Sequence, residues 1–292
     1  MVAVYGTMVA VIAEAALAAR GSPRGTPCDC KKGGLGVSAS EVLVTGGTGV
    51  LGQQVVERLG SARIEARVLS RSRRSGTIRG DLSTGEELDL AVQGADTIIH
   101  CASSPYRKAR QTDVEGTMRL LESASKEGVS HFVYISIVGI DRVPSYPYYR
   151  IKLETERVIE GSPVPYTILR ATQFYDLVLM AIRFLERMPV MVVPNGFPGQ
   201  PIDAGEVAWR LVELALSEPA ARVPDIGGPE VRTVADIVRG YLEVTGRRKR
   251  TLVFRLPGKT ARAFREGALT CPENRYGEIR WEEFLRGRVR AG

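Results

Sequence analysis

The sequence predicts an α/β protein built on a doubly wound parallel sheet, with a smaller C-terminal lobe. Three observations carry that prediction. An apolar run, Val42-Leu43-Val44, ends in glycines spaced Gly46-x-x-Gly49-x-x-Gly52, and helix-spaced Val55, Val56 and Leu59 follow at once. Strand-like and helix-like segments then alternate from Glu41 to about Arg170. The 292 residues are 44% hydrophobic, enough for one large core and a small second lobe.

Composition narrows the function classes. No segment approaches the roughly 20 apolar residues that span a bilayer. The formal charge of +7 comes from scattered arginines and two clusters, Arg247-Arg248-Lys249-Arg250 and Arg286-Gly287-Arg288-Val289-Arg290. Neither interleaves aromatic residues, so both read as solvated surface and not as a nucleic-acid face. Four cysteines make no disulfide framework at this length, and Cys28-Asp29-Cys30 lacks a second pair at zinc spacing. The histidines are His100 and His131 alone. A reducing cytoplasm is expected, with a small-molecule substrate, no metal, no membrane or nucleic-acid partner, and a monomer or homodimer.

Residues 1–40 stand outside the pattern. Met1 to Ala19 is Ala/Val-rich but carries Glu14 and lacks a basic leader. Gly21 to Gly36 is rich in Gly, Pro and Lys without periodicity. This stretch is expected to be a disordered extension, or the product of an incorrectly placed start with translation beginning near Val37. The folded unit is expected at 41–292, its substrate lobe built mainly from about 174–200 and 222–292.

A strand that turns tightly into a helix leaves the first helical N–H groups unpaired and aimed at one spot, which suits a phosphate. Gly46 lets the chain turn, Gly49 lets backbone approach a pyrophosphate, and Gly52 lets the helix pack close. Thr48, Val50 and Leu51 complete this candidate phosphate turn; a plain tight turn is the alternative. The spacing resembles the T-G-G-x-G-x-x-G of extended and atypical short-chain dehydrogenases/reductases, including the NmrA-like branch. That resemblance covers nearly everything after residue 40 and implies a Rossmann-like, NAD(P)-binding fold.

The second strand, Ala66 to Ser70, ends without the acid that would select NAD. Ser70, Arg71 and Ser72 offer donors and positive charge for a 2′-phosphate, so NADP is favoured over NAD; a solvated arginine turn is the alternative. The resemblance places Asp81 and Leu82 beside the adenine, whereas Asp81 as a helix cap is the local reading. Asp96 to Ser104 reads as the fourth strand running into a small-residue loop. Cys101, Ala102 and Ser103 there can lie against the cofactor, while His100 and Cys101 read as packing and not catalysis. Asp113 to Thr117 opens a helix and resembles an N-V-x-G-T segment, with Asp113 where Asn is common.

After the strand Phe132 to Val138 comes Y-x-x-x-K at Tyr148 and Lys152. Residues four apart share a helix face, and a nearby ammonium can lower a tyrosine pKa from about 10 by roughly 1–3 units. Tyr148 is then a general acid/base, and Lys152 also a ribose ligand. Tyr149 is the alternative cofactor-facing residue. The resemblance implies a serine assisting the tyrosine; Ser136 is the candidate, although Ile137 occupies the more usual position. Past the sixth strand, Thr172, Gln173 and Phe174 are candidate nicotinamide-pocket residues, with aromatic packing at a helix start as the alternative. The expected activity is hydride transfer between NADP(H) and a small carbonyl or quinone-like substrate. A non-catalytic NmrA-like regulator and a nucleotide-sugar epimerase or dehydratase are the alternatives.

Overall fold

The computed structural model describes residues 41–71, 76–104 and 108–290. The expectations for residues 1–40 and for Ser72 lie outside them. Seven parallel strands form, the central ones rich in β-branched and leucine residues: β1 (Val42–Thr45), β2 (Ala66–Ser70), β3 (Thr77–Arg79), β4 (Thr97–His100), β5 (His131–Ile137), β6 (Tyr166–Ala171) and β9 (Ala221–Arg222). Their spatial order is β3-β2-β1-β4-β5-β6-β9, so strand order reverses between β1 and β4. Val42 is in register with Ala66 on one side and Thr97 on the other. This is the doubly wound arrangement that the alternating pattern predicts.

Alternation along each strand builds two cores. Val42 and Val44 point to α1 (Val50–Ser61) and α6 (Ala204–Ala215), beside Ile99, Val133 and Leu169. Leu43, Ile98, Phe132 and Ile168 point the other way, to α2 (Leu88–Val92), α3 (Gly116–Glu127) and α4 (Pro147–Glu160). Helices on both faces explain why these strands read as continuous apolar runs.

A separate core holds the C-terminal elements. It joins α5 (Tyr175–Glu186), β7 (Met191–Pro194), α7 (Val234–Thr245) and α9 (Trp281–Arg290) through Leu179, Met191, Val238, Tyr241, Trp281 and Phe284. The Trp281 indole donates to the Ile237 carbonyl at 2.9 Å, which satisfies its one polar atom in the core. β8 (Pro198–Gly199) pairs with β10 (Arg232–Thr233), β11 (Thr251–Phe254) runs parallel to β7, and α8 (Lys259–Arg265) lies between β11 and α9. Thr233 caps α7 by accepting the Asp236 amide at 3.1 Å, and its hydroxyl donates to the Asp236 carboxylate at 2.6 Å. The segment opening at Asp113 departs from a plain α-helix. A π-helical turn, Arg110–Glu115, precedes α3 and buries Asp113.

Candidate functional site

β1 delivers the chain to Gly46, whose φ of +69° is left-handed. A Cβ there would also lie 2.6 Å from the Ala102 amide nitrogen, so only glycine fits. Gly52 sits in the first turn of α1, where a Cβ would lie 2.2 Å from the Gly46 carbonyl oxygen. The helix thus packs directly on the turn. At Gly49 that same oxygen, at 3.3 Å, is the one atom within reach of an added Cβ. Gly49 is the N-cap of α1, and no side chain caps that helix. The Val50, Leu51 and Gly52 amides therefore open a helix without a side-chain acceptor, which attracts an anionic phosphate. The Thr48 carbonyl is fixed by the Gln53 side chain at 3.1 Å. A dinucleotide diphosphate fits this turn.

β2 ends at buried Ser70 and exposed Arg71, the edge at which an adenine ribose would lie. Asp81 does not cap a helix. Its Oδ1 accepts the Ser83 amide and hydroxyl, both at 2.8 Å, and so closes its own turn. The Leu82 side chain is buried in the core, and its carbonyl accepts from Arg119 at 3.2 Å. Through side chains, neither residue is open to an adenine without rearrangement.

β4 ends at His100, held between Thr45 Oγ1 at 2.6 Å and Thr117 Oγ1 at 3.0 Å. Burial, then the Lys152 charge, pushes its imidazole down to about 3. It is packing, as expected. Burial likewise pushes the half-buried Cys101 thiol up to about 12, leaving it unreactive. The Cys101 and Ala102 backbone lies against Gly46, and Ser103 is the next residue out.

Ser103 leads to the phenol. Its Oγ donates to Asp113 Oδ2 at 2.7 Å and contacts the Tyr148 hydroxyl. The Tyr148 hydroxyl donates to the same Asp113 oxygen at 3.3 Å, while the Ser104 amide donates to Asp113 Oδ1 at 2.8 Å. Contacts therefore run unbroken from the glycine turn through Ala102 and Ser103 to Tyr148.

Lys152 requires a correction. Its buried ammonium donates to the Ile135 carbonyl at 3.2 Å and to the Tyr134 hydroxyl, 4.3 Å from the Tyr134 ring centre. The expected phenol–ammonium pair is not formed. Burial and the Asp113 carboxylate push Tyr148 well above the usual tyrosine range, and burial pushes Lys152 down. Ser136 is corrected as well. Its buried Oγ helps to hold the Glu156 carboxyl low without a full hydrogen bond, while the Tyr148 hydroxyl is partnered by Ser103 and Asp113. Ile137 instead packs in the apolar cluster with Tyr148 and Tyr149. Tyr149 is buried there, edge-on to Tyr146 at 4.7 Å, and offers no face to a cofactor.

Thr172 is the third correction. Its amide donates to the Ile226 carbonyl at 3.0 Å and its hydroxyl to the Gln200 carbonyl at 2.5 Å, so neither donor is left for a carboxamide. Gln173 is tied to the Leu269 carbonyl at 3.2 Å, and Phe174 packs against the core shared with α6. A roof closes this end. A Cβ on Gly139, at φ +75°, would lie 1.6 Å from the Ala268 carbonyl, and Arg142 donates to the Thr270 carbonyl at 3.1 Å. The roof, Asp113 as partner of Tyr148, and Tyr134 as partner of Lys152 were not visible as such in the sequence. The one signal was an acid where the resembling segment carries asparagine.

A family model described as NAD(P)H-binding matches residues 46–181. The photosystem II assembly factor Ycf39 of Trieres chinensis is 28% identical, over 70% of this chain and 69% of its own. A (4-alkanoyl-5-oxo-2,5-dihydrofuran-3-yl)methyl phosphate reductase of Streptomyces griseus is 28% identical, over 70% and 74%. Across the curated relatives the matched share of the relative varies, being 55% of the length of the chloroplastic Arabidopsis thaliana protein and 32% of that of a Mycolicibacterium neoaurum 3-beta-hydroxysteroid dehydrogenase. Among solved structures, the NADPH complex of an Escherichia coli NADPH-dependent quinone oxidoreductase superposes with a TM-score of 0.71. It is 17% identical, with 85% of this chain and 99% of that one covered, a likeness of fold. The glycine turn and strand order thus give a Rossmann-like fold similar to that of short-chain dehydrogenases/reductases, and residues 46–181 match the NAD(P)H-binding family.

Proposed function

We propose that this protein is an NADP(H)-linked oxidoreductase working in the direction of reduction, on a small carbonyl or quinone-like substrate. The observation that carries the reading is Tyr148, placed by Ser103 beside the glycine turn and kept protonated by burial and Asp113. A protonated phenol is the form that can give a proton to an oxygen whose carbon accepts hydride. The first amides of α1 would hold the diphosphate, and Arg71 the 2′-phosphate that distinguishes NADP from NAD. When bound, the nicotinamide supplies the hydride. Ile137 and the roof over Gly139 line the phenol with apolar surface and keep water away from it. The names of the Streptomyces reductase and the quinone oxidoreductase agree with this reading. A cytoplasmic location belongs to the proposal, although one relative is named as chloroplastic.

A second reading, a non-catalytic NADP-binding regulator or assembly factor, is favoured by one specific feature. Lys152 is bound to Tyr134 and Ile135 while Ile137 stands in the serine position, so two usual aids to the tyrosine are missing. The name of the Ycf39 relative points the same way. Calorimetric titration with NADPH and NADH, followed by a carbonyl and quinone panel, separates the readings. Turnover that drops about 10²–10⁴-fold in Tyr148→Phe supports the reductase. Binding without turnover supports the regulator, and turnover on a nucleotide sugar without added NADPH supports an epimerase. No heat with either dinucleotide, from folded protein, defeats all three. Arg71→Asp should move the preference toward NAD.

A further inference from the structure

The basic run after α7 reads from sequence as plain solvated surface, but its neighbours in the fold are not plain. Arg183 of α5 and Arg187 just past its end, with Arg247 and Lys249, line one open cavity of about 480 Å³. Glu186 is the one carboxylate in that lining. Its Oε2 already accepts Arg247 at 2.6 Å and the Tyr241 hydroxyl at 2.9 Å. Lys249 is fixed on the Met188 carbonyl at 3.0 Å. Among the described residues, Arg183, Arg187, Arg250 and Arg255 make no ion pair.

β11 continues this surface. It is one strand of a two-stranded sheet, joined to β7 by the Met191 amide donating to the Arg250 carbonyl at 2.9 Å. Leu252 is 57% exposed and Val253 46%. Side chains alternate along a strand, so Arg250 shares a face with Leu252, and Arg255 shares the other with Val253. Each exposed aliphatic side chain has an arginine beside it.

We propose that the edge of β11 opposite β7, flanked by both faces of the strand, docks the protein onto an anionic lipid bilayer, with the neighbouring cations at headgroup phosphates and Leu252 and Val253 in the interface. Single-stranded nucleic acid would ask for exposed aromatic platforms, and these tips are aliphatic. A second copy would bring two like-charged faces together. A stable protein partner covers about 800 Å² with aromatic or arginine anchors in pockets, whereas two aliphatic tips suffice for peripheral lipid binding when cations assist. Each cation near an anionic leaflet strengthens the association about five-fold.

The test is sedimentation of the full chain with vesicles of phosphatidylcholine alone and with about one third phosphatidylglycerol. Binding to the anionic vesicles alone, weakened by high salt, is expected. Arg187→Glu with Arg250→Glu, and separately Leu252→Ser with Val253→Ser, should each lower it about tenfold or more. Unchanged thermal unfolding of both double variants shows that the fold persists. No sedimentation with anionic vesicles at low salt overturns the proposal. So does undiminished binding by Leu252→Ser with Val253→Ser, accompanied by equal affinity for heparin, because the face is then a general polyanion surface. Self-association that this double variant abolishes, without vesicle binding, overturns it in favour of a second copy.

Discussion

The Tyr148 hydroxyl donates to Asp113 Oδ2 at 3.3 Å, and this carboxylate oxygen also accepts the Ser103 hydroxyl at 2.7 Å. A negative charge beside a phenol opposes its ionisation, which reverses the effect expected of a neighbouring lysine. Asp113→Asn retains an oxygen for the Ser104 amide and removes the charge. The Tyr148 pKa should fall by about 1–3 units. Phenolate absorbance against pH, with the Tyr148→Phe curve subtracted, measures it. An unmoved curve would remove Asp113 from control of this proton.

The two glycines at the start of α1 should separate stability from binding. A Cβ at Gly52 meets backbone, the Gly46 carbonyl at 2.2 Å, and cannot be relieved by a rotamer change. Gly52→Ala should therefore cost about 1–3 kcal/mol in denaturant unfolding and weaken dinucleotide binding with it. Gly49 has φ −83° and ψ 174°, which alanine adopts freely, and open space beyond the 3.3 Å contact. Gly49→Ala should leave stability nearly unchanged yet weaken NADPH binding about tenfold, since its methyl stands where a diphosphate approaches. Equal loss of stability in both variants would show that Gly49 serves the turn and not the ligand.

The sheet was legible because its determinants are local. Apolar β-branched runs, turn glycines and helix spacing around Leu43, Gly46 and Val55 fix the register of each element against the next. Tyr148 was legible by its place in the chain, but not its partners. Lys152 lies four residues on, and helix geometry alone suggests that the two side chains meet. A long side chain follows its best acceptors, and for Lys152 these are the Tyr134 hydroxyl and the Ile135 carbonyl across the β5 surface. Thr172 failed for a similar reason. Its donors are claimed by Gln200 and Ile226, residues 28 and 54 positions away by number, and no periodicity reports such contacts.

His100 ties stability to pH. Its ordinary value is 6.5, and in the fold it is held near 3 by burial. Below 6.5 the unfolded chain takes up a proton that the folded chain refuses until about 3, so stability present above 6.5 declines as pH falls. By pH 4 this group alone removes about 3 kcal/mol. His100→Asn can still bond Thr45 and Thr117 but does not titrate. Unfolding of the two proteins in urea at pH 8 and pH 4 should show the wild-type advantage shrinking by that amount. A constant difference would mean that His100 is protonated in the fold.

Gln200 fastens the roof over the site. It is fully buried, its Oε1 accepts the Cys271 amide at 2.8 Å, and its Nε2 donates to the Gly228 carbonyl at 2.9 Å. Three segments distant in sequence meet on one side chain, and the neighbouring Asn274 adds a bond to the Asp225 carbonyl at 2.7 Å. Gln200→Ala leaves the Cys271 amide and the Gly228 carbonyl buried without partners, at about 1–3 kcal/mol for each. The loss should be local as well as global. Amide exchange should rise over residues 267–274, which contact Gly139 and Arg142. The glycine turn shares no bond with this side chain, so NADPH affinity should hold while KM for a reducible substrate rises. Exchange confined to global unfolding would show that the roof is held by its backbone contacts and not by Gln200.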